Sequence, residues 1–469
     1  MLNYLSFAMY NFLLRVLVVS LIGICSLFLA VTADKEEAAG SEQCREFECK
    51  QPTVSDPNLK EELFYQGAGA ASSMTFGAAS SMTFLNNDIL LLDKNNGTIN
   101  RIVNGSIVND PLLDINVANK RERGMLGIAV SPDNDGAKYV YLYYTESKYG
   151  DGTDICEFND KARLVCTPST EPIGNRVYRY ELSGSKLVNP KLLLNLPVTP
   201  GPAHNGGAIQ IGPDKNVYLT IGDLNNKNTT MKVQNFHQGV DPDGRGGILR
   251  VTQDGKTVGN GILGSNDPLN KYYGYGIRNS YGIDFDPLTG NLWDTENGPD
   301  YGDEINLVQP GFNSGWKVVQ GIWAPFRPPE GDYAAGKELS EPDDLLVDFE
   351  GKGNYRSPEF IWKIPVGPSA IKFLDSDTLG KNYENDLFVG CTNLGTIFHF
   401  DLNENRTKLN LHNVLADKIA NNNDELNDVI FARGLGEITD IDVGPDGYMY
   451  ALSNYMDKVA IFRIVPINN

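Results

Sequence analysis

Four residue groups near the middle of the chain have types and spacings that carry chemistry. The first is His204-Asn205-Gly206-Gly207, which follows Pro200-Gly201-Pro202-Ala203 and precedes the strand-like run Ala208-Ile209-Gln210-Ile211. An imidazole titrates near neutrality, so a loop histidine can take a proton from a hydroxyl. The second is Asp223, at the end of the apolar run that closes Ile221-Gly222-Asp223; it can orient a base or balance a cation, and by itself it reads equally well as a turn residue. The third is Arg278, between Gly276 and Gly282 with Asn279 adjacent. Its forked guanidinium suits a carboxylate or a polarised oxygen. The fourth runs Asn297-Gly298-Pro299-Asp300 to Asp303-Glu304, with exposed backbone carbonyls and clustered carboxylates. Hard oxygen donors of this kind suit calcium, although the spacing is not that of an EF-hand. The three remaining histidines offer less: His399 alternates with Ile397 and Phe398 in a strand pattern and reads as structural, and His237 and His412 lie in polar segments.

Each group sits just before or just after a strand-like run, where functional loops concentrate on rigid scaffolds. From about Ser80 a turn built on Pro-Asp or a similar pair recurs, followed by a strand rich in tyrosine and aliphatics. Examples are Ser131-Pro132-Asp133, Gly212-Pro213-Asp214, Asp286-Pro287-Leu288 and Gly444-Pro445-Asp446, with Asn87 to Leu92 and Asp386 to Gly390 filling in the series. Glycine is abundant at 48 residues among 469, and amphipathic helical patterns are scarce. Such a rhythm predicts an all-β chain, a six-bladed β-propeller with insertions, in which ring closure removes exposed sheet edges. Two β-sandwiches are the competing architecture. The formal charge of −20 lacks the basic footprint that duplex nucleic acid requires.

The N-terminus adds a targeting segment. Arg15 precedes the apolar run Val16 to Ala33, which ends Val31-Thr32-Ala33 before four charged residues. This pattern fits a secretory signal cleaved after Ala33, and its length also allows an uncleaved membrane anchor. Both place the body of the protein outside the cytoplasm. The domain reading is therefore a signal or anchor over 1–33, a polar linker over 34–62 and a propeller over 63–467. Cys44 with Cys49, and Cys156 with Cys166, are candidate disulfides in an oxidising compartment, and Cys391 reads as buried and inert. Asn96, Asn104, Asn228 and Asn405 open glycosylation sequons. The octapeptide at Gly69 to Phe76 recurs letter for letter at Gly77 to Phe84, one copy suited to a first strand and the other to a loop.

The ordered series resembles the soluble PQQ-dependent glucose/sorbosone dehydrogenase family, the quinoprotein aldose sugar dehydrogenases. The residues that carry the resemblance are Gly124-Met125-Leu126-Gly127 with Pro132-Asp133, His204 to Gly207, Gly222-Asp223, Gly246 to Arg250, Arg278-Asn279, Asn297 to Asn306 and Asn313-Ser314-Gly315-Trp316. The resemblance implies a propeller holding pyrroloquinoline quinone (PQQ) and Ca2+ over its channel mouth. It implies His204 as the base on the C1 hydroxyl of an aldose, Asp223 as its support, and Arg278 on both cofactor and substrate oxygen. It further implies Asn279, Asn297 and Asp303 as cofactor contacts, the carbonyls of Gly298 and Pro299 as metal ligands, and an external electron acceptor as partner. Glu122 stands where the family usually has a glutamine. A lysine expected near Thr392 to Gly395 and arginines expected in the segment Gly436 to Asp440 are absent. PQQ carries three carboxylates, so these departures remove cationic partners, each charge-assisted hydrogen bond being worth roughly 1.5–3 kcal/mol; Arg433 and Lys352 are the candidate replacements. They also keep a second reading open, a propeller without activity that serves as an extracellular glycan- or protein-binding module. A third is a calcium-dependent lactone or ester hydrolase.

Overall fold

The computed structural model describes residues 51–67, 79–131, 139–148, 155–158, 164–167, 172–225, 229–325, 335–339, 342–456 and 458–467. The predicted signal or anchor segment, Cys44, Cys49, Pro132-Asp133, Asn228 and the first copy of the octapeptide lie outside these residues. The second copy supplies most of the strand Ala79–Leu85.

The chain is a β-propeller. The described residues form six sheets of four to six strands and one small hairpin, with only short 3-10 turns between them. The sheets begin in chain order with Ala79–Leu85, Met125–Val130, Ile209–Ile211, Ser280–Phe285, Pro368–Phe373 and Glu437–Val443. Each of these first strands packs against that of the next sheet, and the last packs against the first. Faces covered on both sides explain the sequence pattern. Val217–Ile221 and Leu387–Cys391 are buried at every position, so apolar runs replace the polar-apolar alternation of a one-sided sheet. The recurring turns do the local work. In Gly212 to Asn216, Asp214 accepts from the Asn216 backbone N–H at 3.0 Å and from the Tyr218 hydroxyl at 2.9 Å. Gly444 to Tyr450 repeats this through Asp446 and Tyr450.

The ring closes through residues that read as linker in the sequence. Leu59–Gln66 pairs antiparallel with Lys458–Pro466, from Leu59 opposite Pro466 to Gln66 opposite Ala460. Thr53–Val54 pairs with Ile430–Arg433 in the fifth sheet. The linker assigned to 34–62 is thereby corrected: Thr53–Val54 and, from Leu59, its last residues belong to the sheets. Their polar composition misled because outer strands keep one face in solvent; Lys60 and Glu62 sit at the surface while Leu59 is buried. Between the sixth and first sheets, Asp440 accepts from Ser81 Oγ at 2.6 Å and the Met82 N–H at 2.8 Å.

Two expectations about isolated residues hold. Cys391 is fully buried and burial pushes its thiol up to about 12. His399 Nε2 contacts Asp386 at 2.8 Å and its ring stacks on Phe388, a packing role. In the small hairpin, Cys156 stands directly opposite Cys166 in the backbone register.

Candidate active site

In an antiparallel sheet the start of the first strand and the end of the second lie at the same end. His204 precedes the first strand of the third sheet and Asp223 follows its second strand; Arg278 and Asn297 hold the same two positions on the fourth sheet. The two sheets are neighbours, so topology alone gathers the four predicted groups on one rim.

Backbone contacts then tighten them. The Asp223 N–H donates to the Arg278 carbonyl at 2.9 Å, the Leu224 N–H to the His204 carbonyl at 3.3 Å, and the Asn297 N–H to the Asn279 carbonyl at 2.8 Å. Gly222 permits this approach: a Cβ there would stand 2.5 Å from the Arg278 carbonyl oxygen and 2.6 Å from that of His204. The turn at His204 is left-handed, with φ of 61° at His204 and 64° at Gly206. A non-glycine residue rarely adopts that conformation without support. Glu122 supplies it, its Oε2 accepting from the His204 N–H at 2.5 Å, the Asn205 N–H at 3.3 Å and Asn279 Nδ2 at 3.3 Å. Asn205, wholly buried, is held in turn by Asn175 and by the Tyr143 hydroxyl on its carbonyl.

His204 Nδ1 lies 2.6 Å from Asp223 Oδ1. Asp223 is 2 % exposed and also accepts from the Asn225 N–H at 2.8 Å and Trp316 Nε1 at 2.9 Å. Burial would raise its pKa, but the hydrogen bond and charge of His204, the nearby Lys317 ammonium and the Trp316 indole outweigh it and hold the carboxyl below the usual value. An ionised Asp223 fixes the tautomer: Nδ1 carries the proton and Nε2 keeps the lone pair. The Arg278 guanidinium lies 5.5 Å from the centre of the Trp316 ring, and its NH1 donates to the Asn297 carbonyl at 2.6 Å. Trp316 is pinned by Asn235, whose amide donates to its carbonyl at 2.9 Å.

The oxygen-rich turn divides into two roles. Asp303 is 1 % exposed; its Oδ1 accepts from the Gly298 N–H and its Oδ2 from the N–H groups of Val366 and Gly367, all at 2.8 Å. Burial pushes it up to about 6 against those bonds. Through these bonds Asp303 clamps the loop that carries Gly298 and Pro299. Among the described residues no hydrogen bond is donated to the carbonyl of Gly298 or of Pro299, and the buried Asn297 Oδ1 has no partner. Likewise no cluster of three or more His, Cys, Asp or Glu side chains is arranged to hold a metal. A hard cation here would rest on carbonyl oxygens, which is the donor set the resemblance implies.

Several participants were not legible as such. Glu122 stood out only as a departure, Trp316 only as the end of a motif, and Lys317 not at all. Glu296 accepts from the Arg278 N–H at 2.6 Å, and Ser314 Oγ bridges it to Glu304, at 2.7 and 3.3 Å. Of the proposed replacement cations, Arg433 is exposed in the fifth sheet and Lys352 lies 3.7 Å from Glu350; neither touches this group among the described residues, whereas Lys317 Nζ lies 3.9 Å from Asp223 Oδ2.

Fold and rim together define a propeller with a histidine–aspartate pair, an arginine and a carbonyl-rich turn in one group of loops. Residues 76–462 match the family model described as Glucose / Sorbosone dehydrogenase, and the chain belongs to that family. It is 25% identical over 340 residues to an aldose sugar dehydrogenase of Escherichia coli, covering 71% of this chain and 74% of that one. It is 30% identical over 274 residues to quinoprotein glucose dehydrogenase B of Acinetobacter calcoaceticus, covering 56% of this chain and about half, 51%, of that one. The PQQ-bound aldose sugar dehydrogenase of Streptomyces coelicolor shares the fold with a TM-score of 0.55 at 19% identity, over 87% of this chain and 98% of that one.

Proposed function

We propose that this chain is a PQQ- and calcium-dependent dehydrogenase on a six-bladed propeller, oxidising the C1 hydroxyl of an aldose to the lactone. The observation that carries the reading is the pairing of His204 with the buried Asp223 beside Arg278, in a member of a sugar dehydrogenase family. Asp223 holds the His204 ring so that Nε2 accepts the hydroxyl proton, and its charge stabilises the imidazolium that results. Arg278 steadies the substrate oxygen as charge develops on it. Arg278, Asn279 and Asn297 would hold PQQ, with the unpartnered Asn297 Oδ1 and the guanidinium as the polar groups on offer. The carbonyls of Gly298 and Pro299 would hold calcium, and Asp303 supports that turn from beneath. Bound PQQ supplies the two-electron acceptor for the C1 hydride. Re-oxidation by an external acceptor and a position outside the cytoplasm, secreted or tethered by the N-terminal apolar segment, complete the proposal.

The test is titration of the purified protein with PQQ, with and without calcium, followed by an aldose screen with a redox dye. Calcium-dependent binding with dye reduction is the expected result. Absence of binding at tens of micromolar PQQ would overturn the dehydrogenase reading in favour of a binding module, the outcome that the missing lysine and arginines favour.

A further inference from the structure

Asp223 serves two side chains capable of positive charge. His204 Nδ1 meets Oδ1 at 2.6 Å, while Lys317 Nζ approaches Oδ2 at 3.9 Å, beside Trp316 Nε1 at 2.9 Å and Gln234 Nε2 at 3.4 Å. The His204 and Lys317 side chains are 12% and 13% exposed, so solvent screens this group only partly. Lys317 is held by its own backbone, its N–H donating to the Gln234 carbonyl at 2.9 Å.

We propose that Lys317 is a positioning residue of the base: by sharing Asp223 with His204 it sets the pH at which the ring is free to accept a proton. This rests on His204 being the base. With Asp223 alone beside it, a protonated ring would form a neutral ion pair and the unprotonated state would leave a buried net negative charge. With Lys317 present the unprotonated state carries less net negative charge, so the ring takes a proton less readily and returns it more readily after turnover. Among the described residues three further charges bear on the ring. Glu122, on the His204 N–H, favours the imidazolium, as does Glu296 behind Arg278 to the extent that it is ionised. Arg278, over the Trp316 ring, opposes it. Lys317 differs from all three in acting on the carboxylate that orients the ring.

The test uses the full chain labelled with 13Cε1-histidine. It has four histidines, and the His204 signal is the one lost in His204→Asn. In Lys317→Met the titration midpoint of that ring rises by about one pH unit, while Lys317→Arg leaves it within roughly two tenths of the wild-type midpoint. A midpoint in Lys317→Met equal to that of the wild type, in a protein with unchanged circular dichroism, overturns the proposal. Lys317→Gln gives the same reading should the methionine variant fail to fold. In the loaded enzyme the acid limb of kcat/KM shifts upward in parallel. The NMR readout needs neither PQQ nor sugar, so a shifted midpoint in a protein that oxidises no aldose would leave the charge sharing intact and sink only the dehydrogenase reading.

Discussion

Asp223 and Glu296 are both buried strand-end carboxyls in the same group of loops, and they meet opposite fates. Asp223 is surrounded by partners that are or can become cationic, His204 and Lys317, plus the Trp316 indole, and is held ionised. Glu296 is pushed up to about 7 by burial, against the Arg278 N–H, the Ser314 hydroxyl and the Arg278 charge, with Asp223 adding to the rise. Across the strand pair it faces Glu304; Asp294, two residues before it, faces Asn306. Burial raises Glu304 and Asp294 well above the carboxyl range, and the charge of Glu296 adds to both shifts. One Ser314 hydroxyl proton cannot serve both Glu296 Oε2 and Glu304 Oε2, an arrangement that suits a carboxyl keeping its proton. The comparison teaches that burial alone does not decide ionisation; the charge of the donors does. It also has a use: an acid cluster that retains protons leaves the Arg278 guanidinium less neutralised, available to a substrate or cofactor oxygen.

The largest effect is expected at His204, the proposed base. His204→Ala is expected to lower kcat by roughly 10²–10⁴-fold in a protein that keeps its circular dichroism, measured by dye reduction on the PQQ-loaded protein. Equal activity would remove His204 from the mechanism. Asp223→Asn should cost up to about 10⁴-fold, because an amide neither fixes the ring tautomer nor stabilises the imidazolium. Its stability effect carries the sign of a depressed carboxyl: the contribution is present above its ordinary value of 3.8 and is lost as pH falls through the lower folded value.

Glu122 tests the support of the turn. Glu122→Leu strips the acceptor from three donors and should destabilise by about 1–3 kcal/mol in urea titrations, with at least a severalfold loss of kcat. Glu122→Gln keeps an acceptor and should recover most of both; equal damage by the two variants would mean that charge, not hydrogen bonding, is the point. The smallest effect is expected at the acid cluster. A carboxyl raised from 4.5 to about 7 contributes stability that is present below 4.5 and lost as pH rises through 7. Glu296→Gln should therefore match the wild type at pH 5 and exceed its unfolding free energy at pH 8 by about 1–2 kcal/mol. A loss of stability at pH 8 would show that Glu296 is held ionised and erase the contrast with Asp223.

Much of this molecule was written in residue types. The recurring Pro-Asp and Gly-Pro-Asp turns, the apolar runs such as Val217 to Ile221, and the order His204, Asp223, Arg278, Asn297 announce a propeller with these groups on one rim, because turn chemistry and two-sided burial are local properties of sequence. The buried Cys391 and the packed His399 were legible for the same reason. What the sequence could not decide was who meets whom across long separations. Leu59 to Glu62 looked like linker because an outer strand is half polar, and only the pairing of Leu59–Gln66 with Lys458–Pro466 shows that this segment closes the ring. Glu122 looked like an added negative charge, yet tertiary structure commits it to the backbone of His204. The sequence offered Asp303 as a cofactor contact, and only the tertiary structure shows that it also ties together three backbone N–H groups. Lys317 carried no signal at all until folding set it beside Asp223. Residue types determined which chemistry was on hand; the ionisation states that make it usable depend on burial and on partners distant in sequence, and those exist only in the folded chain.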